Sequence, residues 1–275
     1  MNLTAADRDR LVEKVLNTHK YRHAGLNPQT VRDLIAQEAK EQSSEKALYK
    51  AVRRKLHNIV APYLGDPDYA ALSRRLSALE SPTQDSPELR AICREALSAH
   101  ASTAERISGQ SEFYERLFAA TGTPASIVDL ACALHPLAFP WMGLAPSTAY
   151  HAYDIVQPRV NFINHFFEAV GLAPLAENRD ILVDPPQIQA DLGIFFKEAH
   201  RFEKRQPGCN RDFWASLNVE TLAVSLPTQN LSGTHSLLDQ HRQLVEANTA
   251  PGKIREELIF EKEVVFLIDH PGRAA

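Results

Sequence analysis

Three acidic residues border short apolar runs: Asp129 in SIVDLACALHP, Asp154 in TAYHAYDI and Asp180 in RDILV. Each run reads as a strand, and SIVDLA has the β-branched character of one covered on both faces. In an open α/β sheet, ligands gather outside the carboxyl ends of strands, near the point where strand order reverses. A carboxylate ending the second strand offers two oxygens side by side, which suits the two hydroxyls of a ribose. Asp180, at the next strand, is placed to accept from an exocyclic adenine amine. Together they outline an adenosine pocket, although acids near strand ends are common whatever the function. The chain has neither GxxxxGK[ST] nor GxGxxG, so phosphate-bearing cofactors are disfavoured. S-adenosylmethionine has no phosphate and needs no phosphate cradle.

HASTAER, residues 100–106, supplies a second element. It reads as a helix start, with Ser102 or Thr103 as cap and Glu105 in the first turn. Arg106 can then pair bidentately with a carboxylate such as the amino-acid end of that cofactor. The plainer reading is a surface arginine on a capped helix. VDPPQ, residues 183–187, lacks the stacking aromatic of an amino-directed methyltransferase motif and reads as a proline loop. His135, alone after a strand, reads as a packed or hydrogen-bonded residue. Cys93, Cys132 and Cys209 are scattered without ligand spacing, and His235 and His241 lack companions, so no metal site is expected.

The elements that must position these groups divide the 275 residues in two. Residues 1–120 read as helices. NPQTVRDLIAQEAKEQ opens with an Asn cap and Pro at the first helical position. SSEKALYKAVRRKLHNIVAPY and DPDYAALSRRLSAL carry apolar residues at helical spacing, the former stopping at Pro62. ESPTQDSPE is a loop, and helices are expected over about 86–98 and 104–120. Beyond residue 124 strands alternate with helices, from SIVDLA through TAYHAYDI, RDILV, DLGIFF and TLAVSLP. PRVNFINHFFEAVG, KRQPGCNRDFWASL and SLLDQHRQLVEAN are the intervening helices. This alternation predicts a mostly parallel sheet with helices on both faces. ELIFEKEVVFLID leaves no room for a crossover helix and predicts an antiparallel edge. Residues 1–100 are therefore expected to form a helical domain and residues 101–275 a Rossmann-like α/β domain.

The net charge of −4 conceals an asymmetry: residues 1–60 carry 12 Lys and Arg against 7 Asp and Glu. Lys46, Lys50, Arg53, Arg54 and Lys55 cluster there, with histidines nearby. Such a face can dock a polyanion while the acidic remainder does not, though a charged helix face is often merely solvated. No apolar run approaches the roughly 18 residues of a membrane span, and no signal-peptide pattern opens the chain. With the scattered thiols this suits a cytoplasmic protein.

HASTAERI, FYERLFAATGTPASIVDLACALHPLAFPWMGL, YHAYDI and LAVSLPT, in this order, resemble the aminoglycoside-resistance 16S rRNA (guanine(1405)-N(7))-methyltransferase family. KYRHAGLNPQTVRDLI and KLHNIVAPY resemble its helical N-terminal domain, so the likeness runs from about residue 15 to residue 269. It implies a helical domain that docks on the 30S subunit and a Rossmann-like domain that binds S-adenosylmethionine. The enzyme would act as a monomer on a decoding-site guanine of 16S rRNA. By position, His100, Ser102 and Arg106 would face the amino-acid end of the cofactor, with the backbone of Ala131, Cys132 and Ala133 beneath it. Asp154 would take the ribose, and Asp180 with Arg179 the adenine side. Lys197 and Arg201 would face the substrate, and Ser225 and Pro227 begin the target-side loop. No catalytic general base is implied.

Three stretches depart from the family pattern. DLACGLNPL becomes DLACALHPL, placing Ala133 and His135 where the family has glycine and asparagine. If that glycine's φ is positive, alanine costs about 1–2 kcal/mol. Arg179 replaces a glutamine. QNLSGTHS, residues 229–236, replaces a basic, glycine-rich turn, removing arginines that could meet phosphate or guanine. These differences keep two alternatives open: a relative with weakened activity or an altered RNA target, and a ribosome-binding protein without chemistry.

Overall fold

The computed structural model describes residues 3–60, 66–230, 234–250 and 252–270. Helices α1 (Ala5–Leu16), α2 (Pro28–Glu38) and α3 (Glu45–Val60) open the chain. Thr4 and Asp7 close a capping box on α1, and Asn27 Oδ1 accepts from Gln29 N at 2.8 Å at the start of α2. The three helices enclose their own core of Leu11, Val15, Val31, Leu34, Ile35, Leu48, Val52 and Leu56. The stop at Pro62 lies outside the described residues.

Helices α4 (Tyr69–Ser77) and α5 (Pro87–Ala99) are helical in sequence but belong to the sheet's core. Leu72, Leu76, Leu89 and Ile92 pack with Phe139, Phe162 and Phe166. Expected as one helix, residues 104–120 are instead broken. α6 (Ala101–Ala104) gives way to a 3-10 turn at Ile107–Gly109 and then α7 (Gln110–Thr121). The Thr103 hydroxyl donates back to Leu97 O at 2.6 Å and to His100 O at 3.0 Å instead of capping. Side-chain bonds of this kind compete with the helical ladder.

Seven strands follow: β1 (Ser126–Asp129), β2 (Ala149–Asp154), β3 (Ala176–Asn178), β4 (Gln189–Phe196), β5 (Asn218–Pro227), β6 (Ile254–Ile259) and β7 (Glu263–Asp269). Their order is β3-β2-β1-β4-β5-β7-β6. The first five run parallel, and β7 pairs antiparallel with both β5 and β6, as the closing sequence predicts. Helices α8 (Gln157–Ala169), α9 (Ala199–Arg205), α10 (Cys209–Ser216) and α11 (Leu238–Asn248) complete the chain. Successive strand residues serve opposite cores, Ile127 one and Val128 the other.

RDILV is not a strand. The Asp180 side chain accepts from Leu182 N at 3.2 Å while its carbonyl takes Val183 N and Asp184 N, and Pro185 and Pro186 bar a ladder beyond. The pairing segment lies upstream, at β3. The helix expected over KRQPGCNRDFWASL is likewise split, because Pro207 and Gly208 (φ +79) separate α9 from α10.

The N-terminal helices join the sheet at the end of β2. Asn27 N donates to Ile155 O at 2.8 Å and Gln157 N to Gly25 O at 2.8 Å, around a Leu26–Val156 bridge. Gly25 has φ +59, and a Cβ there would sit 2.6 Å from Pro158 Cδ. Among the described residues, no helix is long and apolar enough to cross a membrane.

Candidate cofactor site and basic face

From β1 the chain moves out to β2 and β3, then returns on the other side at β4, so the strand order reverses between β1 and β4. A cavity lies beyond their carboxyl ends, lined by Asp129, Ala131–Ala133, His135, Phe196 and Glu198, with Ser102, Thr103 and Arg106 closing it from α6 and the following turn. Its free space is about 10 Å³, room for a single water. The sequence expectation thus brings Ser102, Arg106, Ala131, Cys132 and Ala133 together.

The loop after β1 is held in an unusual backbone. Ala131 has φ 53 and Ala133 φ 48, both in the left-handed region that glycine tolerates and alanine resists. Bonds from β2 hold it there: Cys132 N donates to Tyr153 O at 2.8 Å and Ala133 N to Asp154 Oδ2 at 3.1 Å. Beneath lies a buried polar chain. Asp129 Oδ2 accepts from Tyr150 Oη at 2.8 Å and lies 2.7 Å from His135 Nδ1, while Tyr114 Oη meets His135 Nε2 at 2.8 Å. His135 is therefore a hydrogen-bonded packing residue under the loop. Burial pushes the Cys132 thiol well above its ordinary range, which makes it inert.

Arg106 is buried and held by β7. Its Nε and Nη2 donate to the two oxygens of Glu263 at 2.5 and 2.7 Å, and Nη2 also reaches Ser225 Oγ at 3.3 Å. Burial alone would raise the Glu263 carboxyl, but the Arg106 guanidinium holds it below the usual range. His100 is buried with Nδ1 2.8 Å from Ser102 Oγ, and burial, with Arg159 nearby, pushes its imidazole down to about 3.

The adenosine-side carboxylates sit outside the cavity lining and are already engaged. Asp154 accepts from Ala133 N, from Val156 N at 2.8 Å and from Arg159 Nη1 at 2.9 Å. Three of about four lone-pair positions are thus taken, leaving one where two ribose hydroxyls need two. Arg159 also holds Asp66, at 2.7 Å. Asp180 is paired with Arg205 Nη1 at 2.8 Å, and Arg205 Nη2 reaches Asp33 of α2 at 2.8 Å. Arg179 lies over the Tyr153 ring and pairs with Glu177 at 2.8 Å.

At the mouth, Lys197 (φ 61) is buried, its Nζ bonded to Glu105 and its backbone N to Ser225 O at 2.8 Å. Glu198, the N-cap of α9, lies with Arg201 Nε 3.6 Å away, and burial pushes its carboxyl up to about 8. Ser225 is fully buried, and the Pro227 carbonyl is 2.8 Å from His241 Nδ1. Residues 231–233 of the target-side loop lie outside the described residues. Glu198, Glu263, Arg159 and Arg205 escape the sequence reading, although Glu198 adjoins Lys197, Arg205 follows Arg201 by four positions and Arg159 follows Asp154 by five; Glu263 alone of the four stands far from any selected residue.

The basic residues of α3 form a separate concavity of about 450 Å³ lined by Lys46, Lys50, Arg53, Arg54 and His57, with Lys20, Tyr21 and Tyr49. Lys14 and Arg53 lie over the Tyr49 ring at 4.9 and 5.5 Å from its centre. Lys55 is not part of it. Its Nζ turns to Glu38 at 2.6 Å, a carboxylate left 7% exposed, so Lys55, itself part-exposed, neutralises a buried acid.

A parallel sheet with an antiparallel edge hairpin, and a cavity where its strand order reverses, define a Rossmann-like fold. The chain belongs to the ribosomal RNA methyltransferase (FmrO) family, whose profile matches residues 18–251. It is 31% identical over 273 residues to a 16S rRNA (guanine(1405)-N(7))-methyltransferase of Micromonospora echinospora, covering 96% of this chain and 98% of that one. It is 30% identical to the enzyme of the same name from Serratia marcescens, over 94% of this chain and 96% of that one. Among solved structures it superposes on the 16S rRNA methylase RmtB with a TM-score of 0.78 and 28% identity, covering 97% and 99% of the two chains. RmtF in complex with S-adenosyl-L-homocysteine gives a TM-score of 0.78 at 25% identity, over 98% and 99%.

Proposed function

We propose that this protein transfers a methyl group from S-adenosylmethionine to N7 of guanine 1405 of 16S rRNA, within the 30S subunit, and thereby confers aminoglycoside resistance. The observation that carries the reading is the β1/β4 switch point, where a buried arginine faces a loop held by the end of β2. Family membership supports the RNA target. When bound, the cofactor supplies a methyl on a positively charged sulfur, which guanine N7 takes without a general base because N7 carries a lone pair and no proton. The chain's own work is then orientation. Ser102 and Arg106 hold the amino-acid end, and the Ala131–Ala133 backbone shapes the floor. Asp154 would hold the ribose, provided one of its present donors gave way; Arg159, which would still pair with Asp66, is one such donor. Asp180 and Arg179 border the adenine. Lys197 and Arg201 stand on the substrate side with Ser225 and Pro227, where a base flipped out of its helix would enter.

The α3 concavity docks phosphates of the small subunit through Lys46, Lys50, Arg53 and Arg54. The protein acts as a cytoplasmic monomer. The test is incubation of purified small subunits with the protein and labelled S-adenosylmethionine, followed by borohydride–aniline cleavage to map N7 methylation. A single cleavage at the decoding-site guanine is expected. Label elsewhere would replace this target by another, the outcome that the changed QNLSGTHS loop favours. Loss of all cofactor binding would leave a ribosome-binding protein.

A further inference from the structure

A guanidinium offers two edges for carboxylates, one formed by Nε and Nη2 and one by Nη1 and Nη2. Glu263, at the first position of β7, occupies the first edge of Arg106 completely. The second edge is nearly open. Nη1 has no acceptor among the described residues, and the remaining hydrogen of Nη2 meets only Ser225 Oγ at 3.3 Å. Both side chains are buried, Arg106 6% and Glu263 4% exposed, and Arg106 lines the cavity while Glu263 does not. The Arg106 ring of contacts is completed by Phe113 and Phe196, whose ring centres lie 5.1 and 4.5 Å from its guanidinium carbon. Apolar rings on its faces and a carboxylate along one edge leave a single orientation.

We propose that Glu263 is a positioning residue that locks Arg106 by one edge so that its other edge faces the carboxylate of the cofactor's amino-acid end. This rests on the placement of that carboxylate at Arg106. A buried arginine without Glu263 would retain its charge but lose its fixed direction, and a second carboxylate would have to order it on binding. Glu263 also offsets the charge of Arg106, so the cavity stays tolerable to the protein before any ligand enters.

The test compares two ligands by calorimetric titration: S-adenosylhomocysteine, which has the amino-acid end, and 5′-methylthioadenosine, which lacks it. Glu263→Gln should weaken S-adenosylhomocysteine about tenfold, or about 1.4 kcal/mol, and leave methylthioadenosine within twofold. The double variant R106A/E263Q should bind S-adenosylhomocysteine no worse than R106A, because the two side chains act as one unit. If E263Q does not fold, Glu263→Asp carries the test. It keeps the charge but pulls the guanidinium back by one methylene, and should give the same split between ligands. Equal losses for both ligands would make Glu263 merely structural, and tighter S-adenosylhomocysteine binding would make it a competitor for Arg106; either overturns the proposal. An R106A protein with unchanged affinity for S-adenosylhomocysteine would instead remove the underlying placement of the cofactor.

Discussion

Replacing Ala133 by glycine isolates the cost of the backbone on which the loop after β1 is built. Ala133 is held at φ 48, where an L-residue with a Cβ is strained by about 1–2 kcal/mol. The substitution releases that strain, but it also loosens the unfolded chain by about 0.4–1 kcal/mol and removes a buried methyl worth up to about 0.8 kcal/mol. These terms nearly cancel, so the single variant should be close to neutral. A control separates them. Ala152 in β2 is fully buried, and its φ is not positive. There Ala→Gly suffers the same entropy and methyl losses with no strain to release. The expected difference between A152G and A133G is therefore about 1–2 kcal/mol, or roughly 2–8 °C in Tm for a chain of this size. Urea and thermal unfolding of both variants measure it. Removing the Ala133 methyl from the cavity wall should also tighten S-adenosylhomocysteine binding by up to about tenfold. Equal destabilisation of the two variants, within about 0.5 kcal/mol, would show that the left-handed loop stores no strain.

Gly25→Ala should cost at least about 2 kcal/mol in urea unfolding, since φ +59 strains the new residue and its Cβ would meet Pro158 Cδ at 2.6 Å; a cost below about 1 kcal/mol would refute the contact. The double variant K50E/R53E should weaken binding to small subunits and flatten its salt dependence by roughly 1.4–1.8 in log–log slope, while leaving S-adenosylhomocysteine affinity unchanged; a matching loss of cofactor affinity would contradict two separate surfaces. Glu198 gives a pH signature. Burial lifts its folded carboxyl to about 8 from an ordinary 4.5, so between these values the folded state keeps a proton that the unfolded state has released, and stability falls as pH rises. Glu198→Gln should remove this slope, so its stability relative to wild type should increase from pH 5 to pH 8; a pH-independent difference would refute the buried placement.

The sequence carries most of the fold because local signals and tertiary packing agree there. Asn27 and Pro28 start α2 where their cap chemistry says, and the FEK interval, residues 260–262, is too short for anything but the β6–β7 hairpin. It misleads where a side chain bonds its own backbone. Asp180 turns RDILV into a loop, and Thr103 helps break the helix expected over 104–120. The residues that line the switch-point cavity are readable because the family motifs hold them close together in sequence. Glu263 is not, since 157 positions separate it from Arg106 and only the β5–β7 pairing brings it back. Likewise charge clustering picks out residues that line one concavity on α3 but cannot tell Lys55, paired with Glu38, from its neighbours there.

The junction at Gly25–Asn27 has a practical corollary. The strand-like segment of the N-terminal helices supplies backbone partners to Ile155 and Gln157, directly after Asp154, and Asp33 shares Arg205 with Asp180. Deleting the first sixty residues would strip partners from three backbone groups, Ile155 O, Gln157 N and Asn178 O, and from one buried arginine, at the ends of β2 and β3. Chimaeras that exchange this domain between relatives should therefore carry the 155–158 turn and the Asp33–Arg205 pair across together, or be made without disturbing either.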